Sequence, residues 1–497
     1  MIVNYNNILN NSFKVLSVES FLLISITALI VFFVYISNSY DVKDSDVVRV
    51  SIGLGIILVL ICIGILYNNP FLTETSFNHT FISNQLTGFI KIIVLLSTLC
   101  ILFYSLNYSK KENFNNFEYV ILIILAVVGM MLMVSSFDFL TIYLSLELQS
   151  LSFYILASMK RDSEYSTEAS FKYFILGAFS SGFLLFGFSL MYGLTGTTNI
   201  EQLYHLFYHI QDAYSNLLYV AIIFILVGLL FKLGAAPFHM WVPDVYEGSP
   251  TIITSFFAIV PKVVIITLIF RLFSYAMYEL STEIQQLLVI CSMFSMIIPS
   301  FVALVQTRIK RLFAYSTVAH VGYILMGVST GTLQGVQSTL MYLIIYIVMS
   351  IGLFGTILSI RKKSNNIRIK YINELSNLSK MNPTLALTLT LIVFSMAGIP
   401  PLAGFFGKLY VFGAAIDSHL YFLTIVGVLT SVVSSVYYIY IIKIMYFEKD
   451  KPYYELSVID KPTSVLLGMS FLFIILFIFY AEPLLLICHE MSYILTL

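Results

Sequence analysis

The stretch ILVGLLFKLGAAPFHMW (225–241) places one lysine, Lys232, inside an apolar run that is then interrupted by Gly234 and Pro237. A charge in the middle of a bilayer costs about 2.5–3.5 kcal/mol on the insertion scale, so such a residue indicates a function. A broken helix frees backbone groups, which a membrane tolerates only inside protein or beside a water-filled cavity. The stretch therefore predicts a broken membrane helix next to an internal polar site.

The rest of the chain has the same membrane character. Of its 497 residues 59% are hydrophobic and 10% are charged, and its mean hydropathy is +0.93. Soluble domains have roughly 45–50% apolar and about 25% charged residues. The net charge of +0 gives no basic footprint for nucleic acid. The four cysteines contain no Cys-x-x-Cys pair, so a cysteine-ligated cluster is not indicated. We therefore expect a polytopic integral membrane protein.

Apolar runs of about 20 residues predict fourteen membrane helices. The runs are continuous and do not alternate, which excludes a transmembrane β-barrel. The spans are predicted at 15–38, 49–68, 87–107, 117–136, 137–158, 168–195, 217–246, 250–277, 283–305, 309–330, 337–360, 382–417, 419–447 and 462–487. The fold class is therefore expected to be an all-α polytopic membrane protein.

Lysine and arginine residues concentrate in the connectors on one face, whereas the other face has little beyond Lys14 and Arg271. The positive-inside rule then places both termini outside. The N-terminus shows no processing signal, and the residues with AT-rich codons are abundant, as expected for an organelle-encoded protein. We expect the mitochondrial inner membrane, with the termini on the intermembrane-space side. The alternative is a bacterial plasma membrane with periplasmic termini.

Three further ionisable residues lie in the middle of predicted spans: Glu147, Lys262 and Lys408. The face of Glu147 also carries Ser150 and Tyr154 at helical spacing. A buried Lys–Glu pair could be a tie between helices, and a lysine near a span end could extend to the interface. Because these three charges occur together with Lys232, we interpret the four residues as functional and not merely structural.

The second half of the chain repeats the pattern of the first. Pro400 and Pro401 precede Lys408, as Gly234 and Pro237 follow Lys232. Breaks in corresponding segments of two halves indicate the transport sites of repeat-built folds. Spans 4–8 and 9–13 are therefore predicted to form two five-helix repeats, with spans 7 and 12 broken.

Secondary candidates for a functional role are His320, Lys172, Asp138 and His239. Lys172, like Lys91, lies near a span end, where extension to the interface is an equal alternative. Asp138 begins a span, where a helix cap is the commoner role. His320 could carry protons or be a satisfied polar tie.

Three motifs resemble the proton-translocating antiporter-like family found in respiratory complex I (NADH:ubiquinone oxidoreductase). They are PFHMWVPDVYEGSP (237–250), AYSTVAHVGYILMG (314–327) and MAGIPPLAGFFGKLYVF (396–412). The resemblance implies fourteen helices, two inverted five-helix repeats and broken helices 7 and 12. It also implies a proton relay, and His320 matches a histidine of the family's helix-10 motif. The relay residues it implies are Glu147, Lys232, Lys262 and Lys408.

The resemblance further implies other membrane-arm and peripheral-arm subunits of complex I as partners. No cofactor is expected on this chain, while NADH, FMN, iron–sulfur clusters and ubiquinone are expected in the partner subunits. The main alternative is a cation/proton antiporter subunit of a multi-subunit bacterial antiporter, or a membrane-bound hydrogenase chain. We predict an N-terminal three-helix segment (1–115), two repeats (116–280 and 281–448) and a C-terminal part with the last helix (449–497).

Overall fold

The computed structural model describes residues 14–39, 44–68, 73–112, 116–160, 162–209, 216–363, 368–448 and 455–496. In these ranges twelve helices are long and apolar enough to cross a membrane. Two shorter apolar helices, Pro383–Ala397 and Lys461–Leu476, complete a set that corresponds to the fourteen predicted spans. The predicted fold class is confirmed. Four basic residues of the lysine- and arginine-rich connectors lie outside the described ranges: Lys43, Arg161, Lys449 and Lys451.

The described ranges contain nineteen α-helices. They are α1 Ser17–Ser39, α2 Asp44–Asn68, α3 Gln85–Lys111, α4 Glu118–Ser135, α5 Phe139–Ala157, α6 Glu164–Thr195, α7 Ile200–His209, α8 Asn216–Leu233, α9 Trp241–Gly248, α10 Thr251–Ile269, α11 Ser281–Ala303, α12 Ile309–Ser329, α13 Leu333–Ser359, α14 Leu378–Met381, α15 Pro383–Ala397, α16 Ala403–Asp417, α17 Tyr421–Phe447, α18 Lys461–Leu476 and α19 Glu482–Thr496. A π-helical segment, Phe270–Ala276, continues α10, and two short 3₁₀ segments lie at Tyr278–Leu280 and Ile372–Leu375.

The chain divides into two compact units. The first comprises Met1–Leu233, Val260–Ser281 and Ile494–Leu497, and the second comprises Gly234–Ile259 and Thr282–Tyr493. The boundaries inferred from the sequence for the repeats and the terminal segments stay predictions.

In the first unit, glycines let neighbouring helices approach closely. Gly129 of α4 lies against the backbone of Gln149 on α5, and Gly187 of α6 lies against the backbone of Ile225 on α8. Lipid tails are as apolar as leucine, so membrane helices associate through close packing and hydrogen bonds rather than through the hydrophobic effect. Helix α6 also packs against α5, so it connects the helices that carry Glu147 and Lys232.

In the second unit, α12 is enclosed by protein along its whole apolar window, and α13 is 83% buried over its window. Both helices nevertheless carry polar side chains, among them His320 and Tyr342. A polar group away from lipid and water needs a hydrogen-bond partner within the protein. The burial of α12 therefore predicts a satisfied polar network around His320.

Both predicted helix breaks are confirmed. Helix α8 ends at Leu233, and Gly234 follows with a φ of 78°. Helix α15 ends in a Schellman turn in which Gly398 has a φ of 88° and Ile399 N–H donates to the Phe394 carbonyl at 3.1 Å. Glycine adopts this left-handed backbone without the clash that a β-carbon causes. Pro237 and Pro401, both in cis peptide bonds, lie within the two breaks.

Local structure departs from the sequence-based expectations in two places. A small antiparallel hairpin, β1 Glu74–Ser76 and β2 Phe81–Ser83, lies in the asparagine-rich connector before α3, with Thr75 opposite Ile82. Helix α3 continues to Lys111, so Lys110 lies in its last turn and not in a connector. A cation there is favoured by the helix dipole, which explains the longer helix.

Candidate functional site

Glu147 lies on α5 and is half-buried. The Ser150 hydroxyl donates to Glu147 Oε2 at 3.3 Å. The other carboxylate oxygen, Oε1, is buried and has no hydrogen-bond partner within the described residues. A buried carboxylate oxygen without a partner is costly, and that cost falls when a hydrogen-bond donor binds there. Glu147 Oε1 is therefore free to accept a further hydrogen bond.

Tyr154 connects the Glu147 side of α5 to Lys232 on α8. Lys232 Nζ donates to the Tyr154 hydroxyl at 3.3 Å and lies 5.8 Å from the centre of the Tyr154 ring. One turn earlier on α5, the Ser150 side chain interacts with the same tyrosine. Glu147, Ser150, Tyr154 and Lys232 thus form a continuous row of polar groups in the first unit.

Gly177 on α6 makes room for the Tyr154 hydroxyl. A β-carbon on Gly177 would overlap that hydroxyl. The rings of Tyr173 and Phe174 pack edge-on against Tyr154, with centroid distances of 4.9 and 5.6 Å. Because three neighbours from α6 fix the Tyr154 ring, its hydroxyl is held where Lys232 can reach it.

Lys262 lies on α10, directly after Pro261, and is 4% exposed. Proline has no backbone N–H, so it interrupts the hydrogen-bond ladder of this buried helix. Lys262 belongs to the first unit, as Glu147 and Lys232 do.

In the second unit, Lys408 completes the end of the interrupted helix α15. Its ammonium donates to the carbonyl oxygens of Met396 and Ala397 at 3.0 and 2.9 Å, and it lies 5.0 Å from the centre of the Tyr323 ring. Carbonyls in the last turn of a helix have no partner within the helix and form the negative end of its dipole. The break at Gly398 therefore creates the acceptors that hold Lys408, which is 5% exposed.

His320 on α12 is 2% exposed, and hydroxyl groups lie at both of its ring nitrogens. Nδ1 is 2.7 Å from the Tyr342 hydroxyl and Nε2 is 3.2 Å from the Tyr438 hydroxyl. The expectation of a satisfied network around this histidine is confirmed. The structure leaves its role as a proton carrier a prediction.

The remaining secondary candidates occupy different settings. Asp138 caps α5 by accepting from Leu140 N–H at 2.8 Å, and it also accepts from the Thr198 hydroxyl at 2.7 Å. Lys172 pairs with Glu168 at 2.7 Å on a partly exposed stretch of α6. His239 is 4% exposed, and its Nδ1 has no hydrogen-bond partner within the described part of the chain.

One buried pair was missed by sequence reasoning. Lys91 does not extend to the interface: its ammonium lies 2.6 Å from Glu19 Oε1, and the two side chains are 4% and 2% exposed. The Ser135 hydroxyl donates to the same oxygen at 3.2 Å. The sequence feature that could have revealed this pair is Glu19, an acidic residue in the first turn of the first span. No group of three or more potential metal ligands occurs in the ranges that the structure describes.

The chain matches known proteins over most of its length. A family model described as NADH:quinone oxidoreductase/Mrp antiporter, TM, matches residues 136–434. NADH-ubiquinone oxidoreductase chain 2 of Marchantia polymorpha is 44% identical over 492 residues, which cover 98% of this chain and 99% of that relative. NADH-quinone oxidoreductase subunit N of Paramagnetospirillum magneticum is 46% identical over 82% of this chain and 84% of its own. A chain of respiratory complex I from Thermus thermophilus with bound aureothin has a TM-score of 0.78 at 25% identity, covering 94% of this chain and 98% of that chain.

Proposed function

This chain belongs to the NADH:quinone oxidoreductase/Mrp antiporter family of membrane proteins, and from this premise we propose that it is a proton-translocating membrane subunit of NADH:ubiquinone oxidoreductase. The relatives named chain 2 and subunit N match it over 99% and 84% of their own lengths, which favours this complex. One observation supports the mechanism most directly: neutral oxygen atoms hold both Lys232 and Lys408.

In the first unit, the proton route begins at Glu147. A proton on its carboxyl group can move through the Ser150 and Tyr154 hydroxyls, because each hydroxyl both donates and accepts a hydrogen bond. The Lys232 amine then receives it. The hydrogen bond from Lys232 to Tyr154 places the last donor and acceptor in contact.

Beyond Lys232, the proposed route continues to Lys262 and on to Lys408, which acts as the exit-side carrier. Within the second unit, His320 is the proposed carrier on the way to Lys408. Lys262, His320 and Lys408 are buried within the protein, which supports this assignment. A side chain that faced lipid or bulk water could not pass a proton to a defined neighbour.

The energy for transport comes from outside the chain. Moving one charge against about 200 mV costs roughly 4.6 kcal/mol. In our proposal, NADH, FMN, iron–sulfur clusters and ubiquinone reside in partner subunits of the membrane and peripheral arms, and this chain holds no cofactor. Quinone reduction there would change the distance between charges such as Glu147 and Lys232, and so change where the proton is held.

The proposed location is the mitochondrial inner membrane with both termini in the intermembrane space. The plant relative from Marchantia polymorpha supports the mitochondrion, whereas the relative from Paramagnetospirillum magneticum is compatible with a bacterial plasma membrane. A cation/proton antiporter subunit is the second candidate, because the family description also names the Mrp antiporters.

Purification of the native assembly separates these two functions. A proton-pumping subunit of complex I co-purifies with NADH oxidation that rotenone or piericidin inhibits. An assembly that exchanges sodium for protons without oxidising NADH would establish the antiporter instead.

A further inference from the structure

The imidazole of His320 has an unusual pair of neighbours. Both ring nitrogens face phenolic hydroxyls, Tyr342 at Nδ1 and Tyr438 at Nε2. These two tyrosines are 0% and 1% exposed, so bulk water does not compete for the ring. They come from α13 and α17, which both pack against the histidine helix α12.

The chemistry of these neighbours differs from that of most buried histidines. A backbone carbonyl or a carboxylate only accepts a hydrogen bond, so it fixes the ring hydrogen on the nitrogen that faces it. A hydroxyl both donates and accepts. Between two hydroxyls, a neutral imidazole is equally satisfied with its hydrogen on Nδ1 or on Nε2.

We infer that Tyr342 and Tyr438 are proton-passing partners of His320, and that the ring works as a tautomer switch between them. The inference rests on the proposed function and specifies how a proton crosses the second unit. When Tyr438 gives its hydrogen to Nε2, the hydrogen on Nδ1 moves to the Tyr342 oxygen. Tyr438 regains a hydrogen from the entering side and Tyr342 passes its own onward, so no group keeps a net charge.

Contacts on both sides of the imidazole support this route. Ser316 on α12 interacts with the Tyr438 side chain and supplies a hydroxyl on that side. On the other side, the Tyr342 ring packs against Gly407, the residue before Lys408: a β-carbon there would lie 2.6 Å from Tyr342 Cδ2. The partners of His320 thus lead towards the proposed exit carrier within the same unit.

A neighbouring tyrosine provides a matched control. Tyr346 on α13 is 1% exposed, and the centre of its ring lies 5.5 Å from that of His320. Its hydroxyl donates to the carbonyl oxygen of Ala258 at 3.1 Å. A carbonyl has no hydrogen to pass on, so the removal of this hydroxyl should not interrupt the switch.

The test compares Tyr342→Phe, Tyr438→Phe, Tyr346→Phe and His320→Gln in the assembled complex in membrane vesicles, with the ratio of protons pumped to electrons transferred as the readout. Glutamine can donate to one hydroxyl and accept from the other, which keeps the hydrogen bonds, but it cannot exchange tautomers. We expect His320→Gln, Tyr342→Phe and Tyr438→Phe to lower the ratio as far as Lys408→Ala does. Tyr346→Phe should keep the wild-type ratio.

A purely structural role gives a different pattern. If His320→Gln pumps at the wild-type ratio, or if Tyr346→Phe fails as severely as Tyr342→Phe, the tautomer switch is excluded. If one phenylalanine variant does not assemble, His320→Gln decides alone. Lys408→Ala and Lys232→Ala are measured in parallel: unchanged ratios in these two would contradict the proposed function itself, rather than the switch alone.

Discussion

Lys91 and Lys408 are both buried in membrane helices, yet their partners differ. The Lys91 ammonium contacts a carboxylate oxygen of Glu19 at 2.6 Å. Among the described residues, the Lys408 ammonium donates to two backbone carbonyls and lies over the face of a tyrosine ring. Lys232 resembles Lys408, because its hydrogen-bond partner is a tyrosine hydroxyl. In the ranges that the structure describes, neither Lys232 nor Lys408 has a carboxylate oxygen within 4.0 Å.

This difference separates two uses of a buried lysine. A full negative charge in contact stabilises the ammonium form, and removal of either partner leaves an uncompensated charge in the protein. Neutral oxygens hold the ammonium through weaker dipoles and also accept a hydrogen bond from the neutral amine. We therefore interpret Lys91 as a tie between α1 and α3, whereas in our proposal Lys232 and Lys408 are the lysines that lose and regain a proton.

The largest expected effect is the loss of pumping in Lys232→Ala. The row from Glu147 then has no acceptor at its end, while the assembled complex remains detectable because no ion pair is broken. Proton uptake driven by NADH in vesicles, divided by the NADH oxidised, gives the ratio. Glu147→Ala should give the same result, and a wild-type ratio in either variant would exclude this relay.

Lys91→Ala should lower the amount of assembled complex more than it lowers the pumping ratio. The change leaves the Glu19 carboxylate buried and unpaired, which costs about 3–5 kcal/mol. We expect less assembled complex on a native gel. The double variant Glu19→Leu with Lys91→Met should restore assembly, because an apolar pair of similar volume can replace a buried ion pair. A double variant that assembles but does not pump would show that Lys91 is also a carrier.

Gly177→Ala tests how closely the Tyr154 hydroxyl must be held. The added β-carbon displaces that hydroxyl from Lys232, and overpacking of this kind costs about 1–3 kcal/mol. We expect a partial fall in the ratio of protons pumped to electrons transferred. The control on the same helix is Gly182→Ala, because a β-carbon there meets nothing within 4 Å. If both variants pump equally, the position of Tyr154 does not matter.

The smallest effect is expected for Lys110→Ala. This residue lies in the last turn of α3, where its favourable interaction with the helix dipole is worth about 0.3–1 kcal/mol. The pumping ratio and the amount of complex should remain at the wild-type values. A clear fall in the ratio would mean that the relay extends to this end of α3.

The sequence predicted those features of the fold that depend on residues close together in the chain. Runs of apolar residues located the spans, and Gly234, Pro237, Pro400 and Pro401 located the breaks, because backbone conformation is decided within a few positions. The partners of the buried charges depend on residues far apart in the chain. Ser135 is 116 positions from Glu19, and Tyr438 is 118 positions from His320. One sequence cannot show which of its many hydroxyls and carboxylates meet across such separations.

The Schellman turn at Gly398 has a consequence for the coupling of this chain to its neighbours. The ammonium that carries the proposed proton also fastens the last turn of α15 through two carbonyls. Occupancy by the proton and the shape of residues 398–402 therefore depend on each other. A partner subunit that pushes on this short segment could load or empty the lysine without touching it, and amide hydrogen exchange along the segment would report that mechanical connection.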